Sequence, residues 1–290
     1  MNSCSKSINR VFSKKVIEEL LDKGNSEIYD YVIRRYALNP DSKTNGELIS
    51  EIYGCMGEEH RNEYYYTNTL LNKLLVGIHS VNTTTALSQV RVADHIADFV
   101  MINGIGSVYE IKSDLDNLER LNDQIKDYYK AFSNVSVLAS EREYDHVVQM
   151  LKKLGEMGDS VGIYVLSDKE KIFTREMTRK PKTWNKDLSH KTLFNLMRKR
   201  EYESVISNSH GVIPKVQPVF FYKECLSAFR EIPILEAQEK TFIELKKRNY
   251  ITKQLFQSVP KELKSLVYFS NLSKRVPELM QFLQQSYCGR

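Results

Sequence analysis

The chain of 290 residues is poor in cysteine, in proline and in long apolar runs. Its four cysteines, Cys4, Cys55, Cys225 and Cys288, lie far apart and form no CxxC pair. That speaks against a zinc ribbon and a disulfide framework, and for a reducing compartment, the cytoplasm. No apolar run is longer than four residues, as in Phe99 to Ile102, so nothing in the sequence spans a bilayer. The start, MNSCSKSINR, has no continuous apolar stretch and does not read as a secretory signal. With 12 glycines and 7 prolines a collagen-like chain is excluded, and 41% apolar with 27% charged residues is a globular mix rather than a disordered one. Internal repeats and low-complexity tracts are also missing. So are GxxxxGK[ST], HExxH and GxSxG, which removes support for a nucleotide-driven motor, a zinc protease or a serine hydrolase.

What is present is enough length for one large domain or two modest ones, with a real core. The net charge of +5 hides an asymmetry. Residues 1–177 hold 21 basic and 27 acidic side chains, net −6, whereas residues 178–290 hold 21 basic and 10 acidic, net +11. A basic half attracts polyanions, of which nucleic acid leads.

Residues 1–58 read as an N-terminal helical extension. In it, residues 13–21 carry Val16, Leu20 and Leu21 at helical spacing, and Asn45 is placed to cap a helix holding Leu48, Ile49, Ile52 and Tyr53. Residues 59–177 form the expected core. It starts with a long helix over 59–75 and strands over 83–92, 96–102 and 107–112. A helix over 116–132, a strand over 135–139, a helix over 145–154 and a strand over 161–166 follow, with an edge strand over 171–177. This alternation predicts an α/β fold, a mixed central sheet flanked by helices. Residues 178–290 read as a basic, mainly helical region, either a separate domain or an extension packed on the same core.

The chemistry concentrates at Asp98, Glu110 and Lys112. Side chains alternate along a strand, so Glu110 and Lys112 share a face. Asp98 lies on the preceding strand of the same hairpin. If Asp98 opposes Glu110, the residue numbers of every opposed pair sum to 208, and the loop is Asn103-Gly104-Ile105. A two-residue Asn103-Gly104 turn would put the carboxylates on opposite faces. The site therefore needs an odd loop, for which Gly104 and Gly106 can supply positive φ. Two facing carboxylates repel unless a cation sits between them. Hard oxygen donors without cysteine or paired histidine suggest Mg²⁺ or Mn²⁺.

Asp98, Glu110 and Lys112, with this order of elements, resemble the PD-(D/E)XK nuclease superfamily and its restriction-endonuclease-like αβββαβ core. Ala97 stands where the signature has proline. The resemblance covers about residues 59–166. It implies that Asp98 and Glu110 bind the metal and that Lys112 assists the hydrolytic water. Glu63, on the helix before the sheet, is the candidate extra metal ligand and catalytic residue, with Glu59 its rival. Gln124 and Tyr128 share a helical face and resemble the QxxxY pattern of the RecB-like and phage-exonuclease-like branch, where such residues bind substrate.

Other residues read more plainly. Asp114, Asp116 and Glu119 would cap and charge the next helix. His79 and His95 read as structural, and Trp184 as packing rather than base stacking. Residues 233–270 hint at a helix–turn–helix without a clear recognition helix. The expectation is a divalent-metal-dependent nuclease acting on DNA. Its expected partners are nucleic acid, a protein docked on the basic C-terminal region, and a second copy in a homodimer, with no membrane. The rivals are a nucleic-acid-binding or regulatory protein with a silent site, an RNase, and a toxin or effector that needs another protein.

Overall fold

Short polar side chains set where the N-terminal helices begin. Helix α1 spans Ser3–Val11. Ser13 Oγ then accepts the Val16 N–H, and α2 runs over Lys14–Lys23 until Gly24 closes it at φ +76°. Helix α3 covers Glu27–Tyr36 and α4 covers Asn45–Glu59. The cap of α4 is Thr44, not Asn45. Thr44 Oγ1 accepts the Glu47 N–H at 3.3 Å and Glu47 Oε2 accepts the Thr44 N–H at 2.8 Å. This reciprocal pair satisfies two free amides at once. Asn45 instead accepts from Tyr29 Oη and donates to the carbonyls of Phe282 and Gln285.

The long helix expected over 59–75 is two elements. Asn62 Oδ1 accepts the Tyr65 N–H at 2.9 Å and starts α5, Glu63–Leu71, which continues as a π-helical stretch over Asn72–Ile78. Glu59 closes α4 and Glu63 opens α5, so the two do not share one helical face.

The computed structural model describes residues 3–59, 61–78, 80–113, 116–167, 172, 178–248 and 251–289. His79, Asp114 and, apart from Ile172, the edge strand expected over 171–177 lie outside them. The chain divides into two compact units, Met1–Asn82 with Ile251–Arg290, and Thr83–Ser167 with Lys171–Tyr250.

The second unit holds a five-stranded mixed sheet flanked by helices. Its strands are β1 (Thr85–Val92), β2 (His95–Asn103), β3 (Ile105–Lys112), β4 (Asn134–Ser140) and β5 (Gly162–Leu166), in spatial order 1-2-3-4-5. The first three pair antiparallel, and β4 and β5 run parallel to β3. Between β3 and β4 lies α6 (Leu121–Tyr128); α7 (Tyr144–Lys152) and α8 (Glu156–Ser160) precede β5. Helix α6 starts later than expected. Asp116 Oδ2 accepts from the backbone N–H and Oγ of Ser113 at 2.7 Å each, and Asn117 Oδ1 from the Glu119 N–H. Such local bonds compete with the helical ladder.

Helices α9 (His190–Leu196), α10 (Lys199–His210), α11 (Pro218–Arg230) and α12 (Ile234–Lys246) belong to the same unit. Leu193, Phe194, Phe229, Phe242 and Leu245 share a core with Val100, Ile102 and Val108 of the sheet and Leu121, Ile125 and Tyr128 of α6. Gly106 makes room for this layer: a Cβ there would collide with Phe242 Cζ and lie 2.9 Å from Phe132 Cδ1.

The expected divisions at 58/59 and 177/178 therefore do not coincide with the compact units. Charge marks what faces water, whereas apolar spacing decides what packs, and residues 178–248 carry both. The last helices, α13 (Lys253–Ser258), α14 (Lys264–Phe269) and α15 (Val276–Gln284), belong to the first unit, where α14 packs with α5 and α15 with α2 and α4, while Phe256 of α13 meets Tyr268 of α14. The residues of the suggested helix–turn–helix are thus shared between two units. No helix among the described residues is long and apolar enough to cross a membrane.

Candidate active site

The hairpin places the acidic residues. Gly104 takes φ +73° at its tip, and the pairs Asn103↔Ile105, Ile102↔Gly106 and onward to Phe99↔Tyr109 all sum to 208. This is the odd-loop register in which Asp98 follows as the partner of Glu110. The backbone ladder stops one pair short of them, at Phe99↔Tyr109. Ile111 would exchange its amide bond with Ala97 in an unbroken antiparallel ladder. Instead its N–H donates to Asp98 Oδ2 at 2.9 Å. The Asp98 carboxylate thus lies edge-on in the gap where β2 leaves β3.

Glu110 points to the α6 side and is 1% exposed. Its Oε1 accepts from Lys112 Nζ at 2.8 Å and from Gln124 Nε2 at 2.5 Å, and its Oε2 accepts from Tyr128 Oη at 2.6 Å. Lys112 is 7% exposed and also donates to Gln124 Oε1 at 3.0 Å. An ionised carboxylate this deep needs such partners. The i, i+4 spacing of Gln124 and Tyr128 on α6 delivers two of them from one helical face.

Tyr128 links both sides of the gap. Its hydroxyl also contacts the Ile96 carbonyl at 2.9 Å. Burial, the Glu110 charge and hydrogen bond, and the Asp98 charge push its pKa well above the ordinary tyrosine range. The hydroxyl therefore remains a protonated donor throughout the neutral range.

One residue from Tyr128, Asp127 fastens the same helix to the β1–β2 turn. Its Oδ2 lies 2.6 Å from His95 Nδ1 and accepts the Asp94 N–H at 3.1 Å, while Oδ1 accepts from Lys130 Nζ at 2.6 Å. Burial acts to raise the Asp127 pKa, but the bonds from Lys130, His95 and Asp94 outweigh it and hold the carboxyl below its ordinary range. Asp127 was not legible as part of this surround, since its position on α6 looks solvent-facing in the pattern. Trp184 packs on Tyr129, with ring centroids 6.1 Å apart, and donates to Asp187.

The second unit thus brings together Asp98, Glu110, Lys112, Gln124 and Tyr128. Glu63 belongs to the first unit, as the exposed first residue of α5. Among the described residues no three His, Cys, Asp or Glu side chains assemble as a metal-binding group. Two carboxylates nonetheless suffice in kind for Mg²⁺ or Mn²⁺, which keep waters and substrate phosphate oxygens as further ligands. Asp98 and Glu110 fit that donor chemistry if Glu110 Oε1 exchanges Lys112 or Gln124 for the ion.

Fold and site together describe an α/β protein with a buried carboxylate–ammonium cluster where two strands of a mixed sheet diverge. A family model described as Bacteriophage P4 protein cII matches residues 56–268, and the chain belongs to that family. No curated protein and no solved structure matches it.

Proposed function

We propose that this protein is a cytoplasmic, divalent-metal-dependent nuclease of PD-(D/E)XK type that hydrolyses phosphodiester bonds, in DNA ahead of RNA. The observation that carries the reading is the convergence of Glu110, Lys112, Gln124 and Tyr128 in one hydrogen-bonded cluster beside Asp98. Asp98 and Glu110 would hold Mg²⁺ or Mn²⁺. When bound, the ion supplies Lewis-acid polarisation of a phosphoryl oxygen and lowers the pKa of water.

The protein's own groups do the rest. Lys112 orients the attacking water and offsets the charge that develops on the phosphoryl oxygens. Gln124 fixes the Lys112 ammonium and the Glu110 carboxylate relative to each other and contacts the substrate strand. Tyr128 keeps Glu110 Oε2 in place with its single hydroxyl proton, which would serve a substrate phosphate oxygen only in exchange for that bond. Residues 178–248, with 15 basic and 8 acidic side chains, supply affinity for the phosphate backbone, and the basic C-terminal region also serves a protein partner or a second copy.

A second reading has an observation of its own. Each oxygen of Glu110 already has a side-chain donor, so the cluster is self-satisfied as it stands. A nucleic-acid-binding or regulatory protein with a silent site needs nothing more. Incubation with plasmid, linear duplex, single strand and RNA in Mn²⁺ or EDTA separates the readings. Metal-dependent cleavage that is lost in Lys112→Ala with the fold intact supports the nuclease. Binding without cleavage supports the silent site, and cleavage that ignores EDTA refutes the metal-dependent mechanism.

A further inference from the structure

On β1, directly across from Asp98, Gln89 has φ +53°. This is the left-handed region, which a glutamine inside a strand rarely adopts. The β1–β2 pairs on either side, Ser88↔Phe99 and Val90↔Ala97, both sum to 187, so no residue is inserted. Gln89 and Asp98 are the partners by that sum, and theirs is the one pair missing from the ladder.

The strands also change face at this pair. Leu87 and Val100 are cross-strand partners that pack into the α6 core, and so are Val90 and Ala97. Residues three apart on a regular strand point to opposite faces. Phe99, between the two pairs, packs instead against Tyr109 on the other side. A left-handed residue rotates the chain about its axis, and a rotation at Gln89 is matched by its partner Asp98. A side chain at such a crossover lies neither up nor down but along the sheet. That is where the Asp98 carboxylate is found, bonded to the Ile111 N–H of β3.

We propose that Gln89 is a positioning residue whose left-handed backbone turns the Asp98 carboxylate into the β2–β3 gap and so completes the acidic pair with Glu110. The claim deepens the nuclease reading, since it says what sets the aim of one proposed metal ligand. It concerns the backbone of Gln89 and not its amide. Substitutions should therefore rank by their tolerance of positive φ: glycine, then asparagine, then alanine, then valine.

The test reads the Ile111 amide by NMR hydrogen exchange in metal-free protein, which does not depend on cleavage. Gln89→Val should speed exchange at Ile111 by about tenfold or more, as loss of its acceptor opens that amide, while Val100 and Val108 in the intact ladder stay protected. Gln89→Gly should restore slow exchange, and Gln89→Ala should fall between and serves if the valine variant does not fold. The same series should raise the Mn²⁺ concentration for half-maximal cleavage in the same order, by about tenfold at valine. If wild type does not cleave, the nuclease reading fails while the Ile111 result still decides this one. Retention in Gln89→Asn with loss in Gln89→Gly would assign the effect to the side chain and overturn the proposal, as would Ile111 protection unchanged across the series.

Discussion

Removing the ammonium of Lys112 while keeping its stem, as Lys112→Met, tests the central cluster. Glu110 would be left as a nearly inaccessible carboxylate with only two neutral donors, Gln124 and Tyr128. Taking away one partner of a buried ion pair costs about 3–5 kcal/mol, most of it the penalty of the stranded charge. For a unit of this size each kcal/mol lowers Tm by roughly 2–4 °C, so a fall of roughly 6–20 °C is expected. The double variant Lys112→Met/Glu110→Gln removes the stranded charge and should recover at least about half of the loss, a coupling on the order of 2 kcal/mol. Calorimetry and denaturant titration of the four proteins of the cycle measure it. Mn²⁺ should raise the Tm of the single variant more than that of the double, because an ion bound at Glu110 favours the folded state by mass action. A single-variant loss below about 1 kcal/mol, or strict additivity in the cycle, would refute the argument that a buried charge pair organises this site.

Other consequences are quicker to check. Gly106→Ala should destabilise by about 1–3 kcal/mol, because the new methyl meets the Phe242 and Phe132 rings; denaturant midpoints decide, and an unchanged midpoint contradicts the close packing. The depressed pKa of Asp127 contributes stability that is present above the ordinary aspartate range and lost as pH falls through the lower folded value. Asp127→Asn should therefore flatten the acid limb of a stability–pH curve below about pH 4; an unaltered slope would count against the clamp. Tyr287 has its hydroxyl pKa raised to about 12, by burial and then by Asp30. Its contribution is complete below about pH 10 and declines from there towards pH 12, a decline that Tyr287→Phe should remove from an alkaline denaturation curve. Thr44→Ala should cost about 1 kcal/mol through loss of the α4 cap, whereas Asn45→Ala should act through its bonds to Tyr29 and the α15 carbonyls; amide exchange at Glu47 distinguishes the two.

Much of the sheet was legible because its signals are local. The alternating and continuous apolar runs marked all five strands, and Asn103-Gly104 marked the hairpin tip, with Gly104 at φ +73° as an odd loop needs. Of the two registers that counting allowed, the fold takes the odd-loop one, and the i, i+4 spacing of Gln124 and Tyr128 brought both to Glu110 once α6 formed. Helix limits were harder. Whether Ser113 and Asp116 bond each other or yield to a helix is a contest between nearly equal local conformations, and Thr44 displaced Asn45 as a cap through Glu47 alone.

By itself, then, the order of residues determined the strands and the candidates Asp98, Glu110 and Lys112 and narrowed the hairpin to two registers, because each depends on neighbours within a turn or a hairpin. Tertiary structure alone decided that helices α9–α12 share the sheet's core, that Glu63 belongs to the other unit, and that Asp98 lies along the sheet beside Ile111. Those outcomes rest on contacts between distant segments and on a left-handed Gln89 that no residue pattern announces, since glutamine adopts that conformation only when its surroundings impose it.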